Sequence, residues 1–142
     1  MKASRVAIAA MLLVMVYVDT IFAQEVSITI DLIIADERIA GRVRGLTTAD
    51  YPNYKVIVYV QTDRWYIHPY VGQGEGLSWA SIQEDGTWQI QTVLREFKAI
   101  RVAALLVQRN YLEPSRVENL ERIQSRARVV RELRNTPDYG KL

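Results

Sequence analysis

Short runs rich in β-branched and aromatic residues recur from Val26 to Val107, and turn-forming residues close each one before it could span a long helix. In "EVSITIDLI", Val26, Ile28, Ile30 and Leu32 alternate with Ser27, Thr29 and Asp31, the period of a half-buried strand. "RIAGRVRGL" follows, with Ile39 and Val43 flanking Gly41, and "TTADYPNY" supplies turn chemistry through Asp50, Pro52 and Asn53. "YKVIVYVQ" and "RWYIHPY" read as two further strands, and "VGQGEG" reads as a glycine-rich loop. "WASIQ" and "TWQIQTV" around Asp85-Gly86 predict a hairpin, while "AIRVAALLV", apolar at nearly every position, predicts a central strand. This spacing predicts a mainly β fold, an antiparallel sandwich of immunoglobulin-like or transthyretin-like type.

A two-residue turn at Thr62-Asp63 would set Val60 opposite Trp65, Tyr59 opposite Tyr66, Val58 opposite Ile67 and Ile57 opposite His68. Trp65 and Ile67 would then join Val56, Val58 and Val60 in the core. The opposite face would carry Tyr59, Gln61, Arg64, Tyr66, His68 and Tyr70, too aromatic for a plain solvated sheet. Tyr59, Arg64, Tyr66, His68 and Tyr70 are therefore the candidate binding residues. A one-residue slip would exchange the faces of one strand.

The run "KVIVYVQTDRWYIHPY", followed by "SIQEDGTW" and "RVAALLV", resembles a small β-sandwich module of secreted and envelope proteins of bacteria, often found beside carbohydrate-related domains. The similarity covers residues 41–114. It implies an immunoglobulin-like fold and a glycan-binding role, and carries over no site residue.

Beyond Pro114 the pattern changes. Val117, Leu120, Ile123, Ala127, Val130 and Leu133 recur at spacings of three and four, which predicts an amphipathic α-helix over 115–135. Ser115 and Glu118 match a capping box, Asn135 and Pro137 supply a stop, and arginines crowd the last turns. The competing reading makes "RARVVREL" a final strand. A helix here has three destinations: the protein's own sandwich, a partner subunit, or an anionic envelope surface.

At the other end, Lys2 and Arg5 precede an apolar run from Val6 to Val18 that is too short to span a bilayer, and "TIFAQ" offers cleavage after Ala23. Residues 1–23 are thus expected to be a signal peptide, with export to the periplasm or the exterior. The expected organisation is a sandwich domain over 24–114, the helix over 115–135 and a tail over 136–142. The chain has no cysteine, so disulfides do not staple it. Its formal charge of +2 falls to +1 once Lys2, Arg5 and Asp19 are removed, too little to indicate nucleic-acid binding.

A single histidine and the lack of cysteine exclude a Cys-His nucleophile and a multi-histidine metal site. No serine has a nucleophile-elbow context, and "GQGEG" lacks the Lys-Ser/Thr ending of a phosphate loop. Asp36-Glu37 and Glu84-Asp85 are adjacent pairs, which strands would point to opposite faces. No catalytic role, metal or cofactor is therefore expected. Two classes remain: a module binding polysaccharide or another glycan through its aromatic face, and an envelope or fibre subunit. The second would form homo-oligomers through strand addition by the N-terminal segment and packing of the helix.

Overall fold

The computed structural model describes residues 24–142. The expected signal peptide lies outside the described residues. Eight strands follow in chain order: β1 (Ser27–Ile34), β2 (Arg38–Arg44), β3 (Tyr54–Gln61), β4 (Trp65–Ile67), β5 (Thr87–Gln91), β6 (Arg101–Gln108), β7 (Arg116–Val117) and β8 (Ala127–Glu132). They form two antiparallel sheets, one in the order β1-β2-β5 and one in the order β7-β4-β3-β6-β8. The protein is mainly β, and the inner faces of the two sheets meet in one core as in a sandwich.

Alternation places that core. Ile28 and Ile30 of β1, Ile39 and Val43 of β2, and Trp88 and Ile90 of β5 face Val56, Val58 and Val60 of β3 and Val102, Ala104 and Leu106 of β6. One expected inward residue fails. A bulge at Asp31 pairs Ile30 with Gly41 and Leu32 with Ala40, so the alternation restarts one residue later, with Ile33 buried and Leu32 facing out. Gly41 sits where this irregular strand and Trp88 converge, and a Cβ there would lie 1.8 Å from the Thr29 carbonyl oxygen.

Strands β3 and β6 are buried on both faces because a second layer covers the outside of the five-stranded sheet. Ile57, Tyr59, Trp65, Ile67, Ala103, Leu105 and Val107 form its floor, and Val117, Leu120 and Ile123 lie on top. This covering segment, residues 111–123, is a strap pinned by polar contacts. The Lys55 ammonium, itself buried, donates to Glu113 Oε2 and to the Tyr111 carbonyl, each at 2.8 Å, and the Tyr59 hydroxyl donates to the Pro114 carbonyl at 2.6 Å.

The strap overturns the expectation of a helix over 115–135. That stretch forms β7, a short 3-10 turn at Leu120–Arg122, and β8, which pairs with β6 from Ala127↔Leu106 to Glu132↔Arg101. Spacings of three and four place Val117, Leu120 and Ile123 equally well along an extended chain with one tight turn. Two tertiary demands decide the matter: the bare outer face of β3, β4 and β6, and the unpaired edge of β6. The supposed cap is used elsewhere, since the Ser115 carbonyl accepts from Ile67 N and the Asn119 side chain caps the 3-10 turn through Glu121 N.

Two hairpin details also differ from expectation. The observed pairs Gln61↔Trp65, Val60↔Tyr66 and Tyr59↔Ile67 are one residue out of the expected register. Thr-Asp is a poor two-residue turn, and the chain takes a three-residue loop, Thr62, Asp63 and Arg64, closed by Thr62 N donating to the Arg64 carbonyl at 3.0 Å. The extra residue exchanges the faces of β4. The Asp85-Gly86 turn forms, with Gly86 at φ +83°, but its arms part: Ala80 bridges to Val56 in the larger sheet while Trp88 pairs with Gly41 in the smaller.

Candidate functional site

The register decides where the five candidate residues go. Tyr59 is fully buried under the strap, away from the others, and its burial pushes the phenol pKa up. It is a core residue. His68 and Tyr66 turn to the opposite side of the sheet, where, with Tyr70, they line a cavity of about 1040 Å³ between the end of β4 and the segment from Thr92 to Ala99. Arg64 is exposed in the β3–β4 loop and lines a separate, smaller cleft. The predicted aromatic face is thus divided into a buried tyrosine, three cavity residues and one arginine beside them.

His68 forms part of the cavity wall but is 1% exposed, so it offers little surface to a ligand. Its Nε2 shares a hydrogen bond of 2.5 Å with Thr92 Oγ1, and its backbone N donates to the Val58 carbonyl at 2.9 Å. Burial, reinforced by the nearby Arg95 guanidinium, lowers its pKa to about 4, and the ring is neutral at pH 7. The peptide bond that follows, to Pro69, is cis.

Arg95 ties the two walls together. It donates to the Pro69 carbonyl and stands over the Tyr70 ring at 5.5 Å from the centroid. Tyr66 is half-buried, and its hydroxyl donates to Asp63 Oδ1 at 2.9 Å. That bond raises the phenol pKa and lowers that of the carboxyl, which also accepts from Thr62 Oγ1. Phe97, 75% exposed, and Val71 form an apolar rim on opposite walls.

Sequence reasoning missed Arg95 and Phe97. They belong to "LREFKA", a linking segment between strands, and the visible signal was an aromatic residue amid charged neighbours in a loop. Arg116 was missed for another reason, since it fell within the stretch 115–135 expected to be helical. Among the described residues no three His, Asp or Glu side chains gather closely enough to hold a metal ion. Comparison with known protein families, characterised proteins and solved structures finds no match.

Proposed function

We propose that this protein is an exported, non-catalytic binding module whose ligand is a glycan, held in the cavity beside β4 rather than on an open sheet face. The observation that carries the reading is the lining of that cavity: the rings of Tyr66, Tyr70 and Phe97 surround a recess whose rim also holds Asp63, Thr62 and Arg95. Aromatic rings receive the C–H faces of sugars, while the hydroxyl, carboxylate and guanidinium groups exchange hydrogen bonds with sugar hydroxyls. The volume is in the usual range for a site that encloses a small ligand or a few linked rings. His68, neutral and bonded to Thr92, holds the wall in place instead of touching sugar.

The finer fold type supports a binding scaffold. The pairing β1-β2-β5 against β4-β3-β6-β8 follows the A-B-E and C′-C-F-G order of an immunoglobulin-like sandwich, with β7 added beyond C′. We prefer this type to a transthyretin-like one on that order. The assembly reading ranks second: the N-terminal segment pairs as β1 with β2 of the protein's own sheet and offers a partner only its outer edge, and the C-terminal segment is strap and strand.

Tyr70→Ala combined with Phe97→Ala tests the proposal. The double variant should lose retention on insoluble polysaccharides while its melting temperature stays close to that of the parent, because Phe97 is largely exposed and Tyr70 only half-buried. Unchanged retention across a broad glycan panel, or none by the parent protein, defeats the proposal.

A further inference from the structure

Next to the main cavity is a cleft of about 380 Å³ lined by Arg64, Arg116, Arg122, Glu118, Pro114 and Val117. Three guanidiniums and one carboxylate give it a net charge of +2. Among the described residues none of the three arginines is ion-paired, as is also true of Arg42, Arg44, Arg95, Arg109 and Arg126; what sets these three apart is that they share one recess. Like charges gathered in a recess repel one another, and a bound anion relieves that repulsion.

Each arginine is placed by backbone structure. Arg116 is the cross-strand partner of Tyr66 in the β4–β7 pair, so the two side chains share a face, and Arg116 lines both the cleft and the cavity. Arg64 closes the β3–β4 loop through its carbonyl, and both Arg64 and Arg116 lie near enough to the Tyr66 phenol to oppose the rise in pKa that its hydrogen bond to Asp63 causes. Arg122 projects from the 3-10 turn, which buried Leu120 and Ile123 anchor and Asn119 caps.

We propose that this cleft is an anion subsite and that the glycan is acidic, its sulfate or carboxylate held by Arg64, Arg116 and Arg122 while a neighbouring ring occupies the aromatic cavity; the inference rests on the glycan reading above. Guanidinium forks match planar or tetrahedral oxyanions in bidentate geometry. A chain ligand suits the arrangement better than a flat anionic membrane, since the arginines line a recess and adjoin a second recess through Arg116.

The test measures binding of the purified protein by affinity electrophoresis in gels containing a sulfated galactan, polygalacturonate or an uncharged β-glucan. Parallel arms use inorganic sulfate alone and vesicles of phosphatidylcholine with phosphatidylserine. Binding to one acidic polymer should exceed that to the neutral glucan at least about tenfold, weaken with added salt, and fall about tenfold in Arg64→Gln combined with Arg122→Gln. Arg44→Ala, on an exposed end of β2, should change nothing. The two acidic polymers separate sulfate from carboxylate. Equal binding to acidic and neutral polymers, or an unaffected double variant, overturns the inference and leaves the glycan reading standing. Binding to no polymer overturns both. Inorganic sulfate held as tightly as any polymer overturns the inference in favour of a free-anion site, and depletion by vesicles without polymer binding overturns both readings in favour of a membrane site.

Discussion

Protonated His68 would bring a positive charge into a buried wall beside Arg95, with Thr92 Oγ1 as its side-chain hydrogen-bond partner. Because its folded pKa of about 4 lies below the ordinary 6.5, the unfolded chain takes up the proton first as pH falls. The stability that the neutral ring contributes is fully present above pH 6.5, declines below it and is gone under about pH 4, a loss of about 3 kcal/mol. Urea unfolding of the parent and His68→Gln at pH 7 and pH 4.5 checks this, with the variant showing the shallower decline. Gly41→Ala should cost about 3 kcal/mol or more, since the new methyl meets the Thr29 carbonyl and Trp88 and must displace strand backbone. Denaturant midpoints measure it. At this scale the sequence was partly legible. Trp65 is a core residue, but in the outer layer with Ile57 and Tyr59 rather than beside Val56, Val58 and Val60 as the expected register placed it, and Tyr66 and Tyr70 line a cavity together. Tyr59 was misplaced, because one loop residue between Gln61 and Trp65 decides the company β4 keeps, and turn length is weakly written in "TDR".

Among the elements, the strap of residues 111–123 has a clear energetic role. Leu120→Ala removes a side chain buried at 5% exposure over the outer core and should destabilise the protein by about 2 to 4 kcal/mol. Glu113→Ala leaves the Lys55 ammonium buried without its carboxylate and should cost about 3 kcal/mol, whereas Lys55→Met, which removes the charge and keeps the bulk, should cost clearly less. Thermal melts of the three variants rank these effects. Strands β1, β3 and β6 were legible because a period of two, or a continuous apolar run, has few other physical realisations. The stretch 115–135 was not. Its apolar spacing satisfies a helix and an interrupted strand alike, and the choice rests on β6 needing a hydrogen-bonding neighbour, a fact located in another part of the chain. The site suffered the same difficulty, since its walls and the arginine cleft are assembled from four separate stretches.

For the molecule as a whole, β1 is integral to the sandwich, contributing Ile28, Ile30 and Ile33 to the main core. Removing residues 24–34 should give a protein that aggregates or lacks a cooperative melt, read by light scattering and circular dichroism. A soluble, folded truncation would show that the smaller sheet stands without it. The same strand also lies against β8, and Lys141 Nζ donates to the Ile33 carbonyl at 3.3 Å. Strands roughly a hundred positions apart along the chain are therefore neighbours, and the chain from β6 to β8 runs by way of the strap over the outer face. Such a path has a high contact order, since long loops close before their contacts repay the lost entropy. Refolding should fall in the slow range of milliseconds to seconds expected for all-β domains. Until β8 is available, a nascent chain leaves the edge of β6 without its hydrogen-bonding neighbour, and an unpaired strand edge is where such an intermediate adheres to other chains.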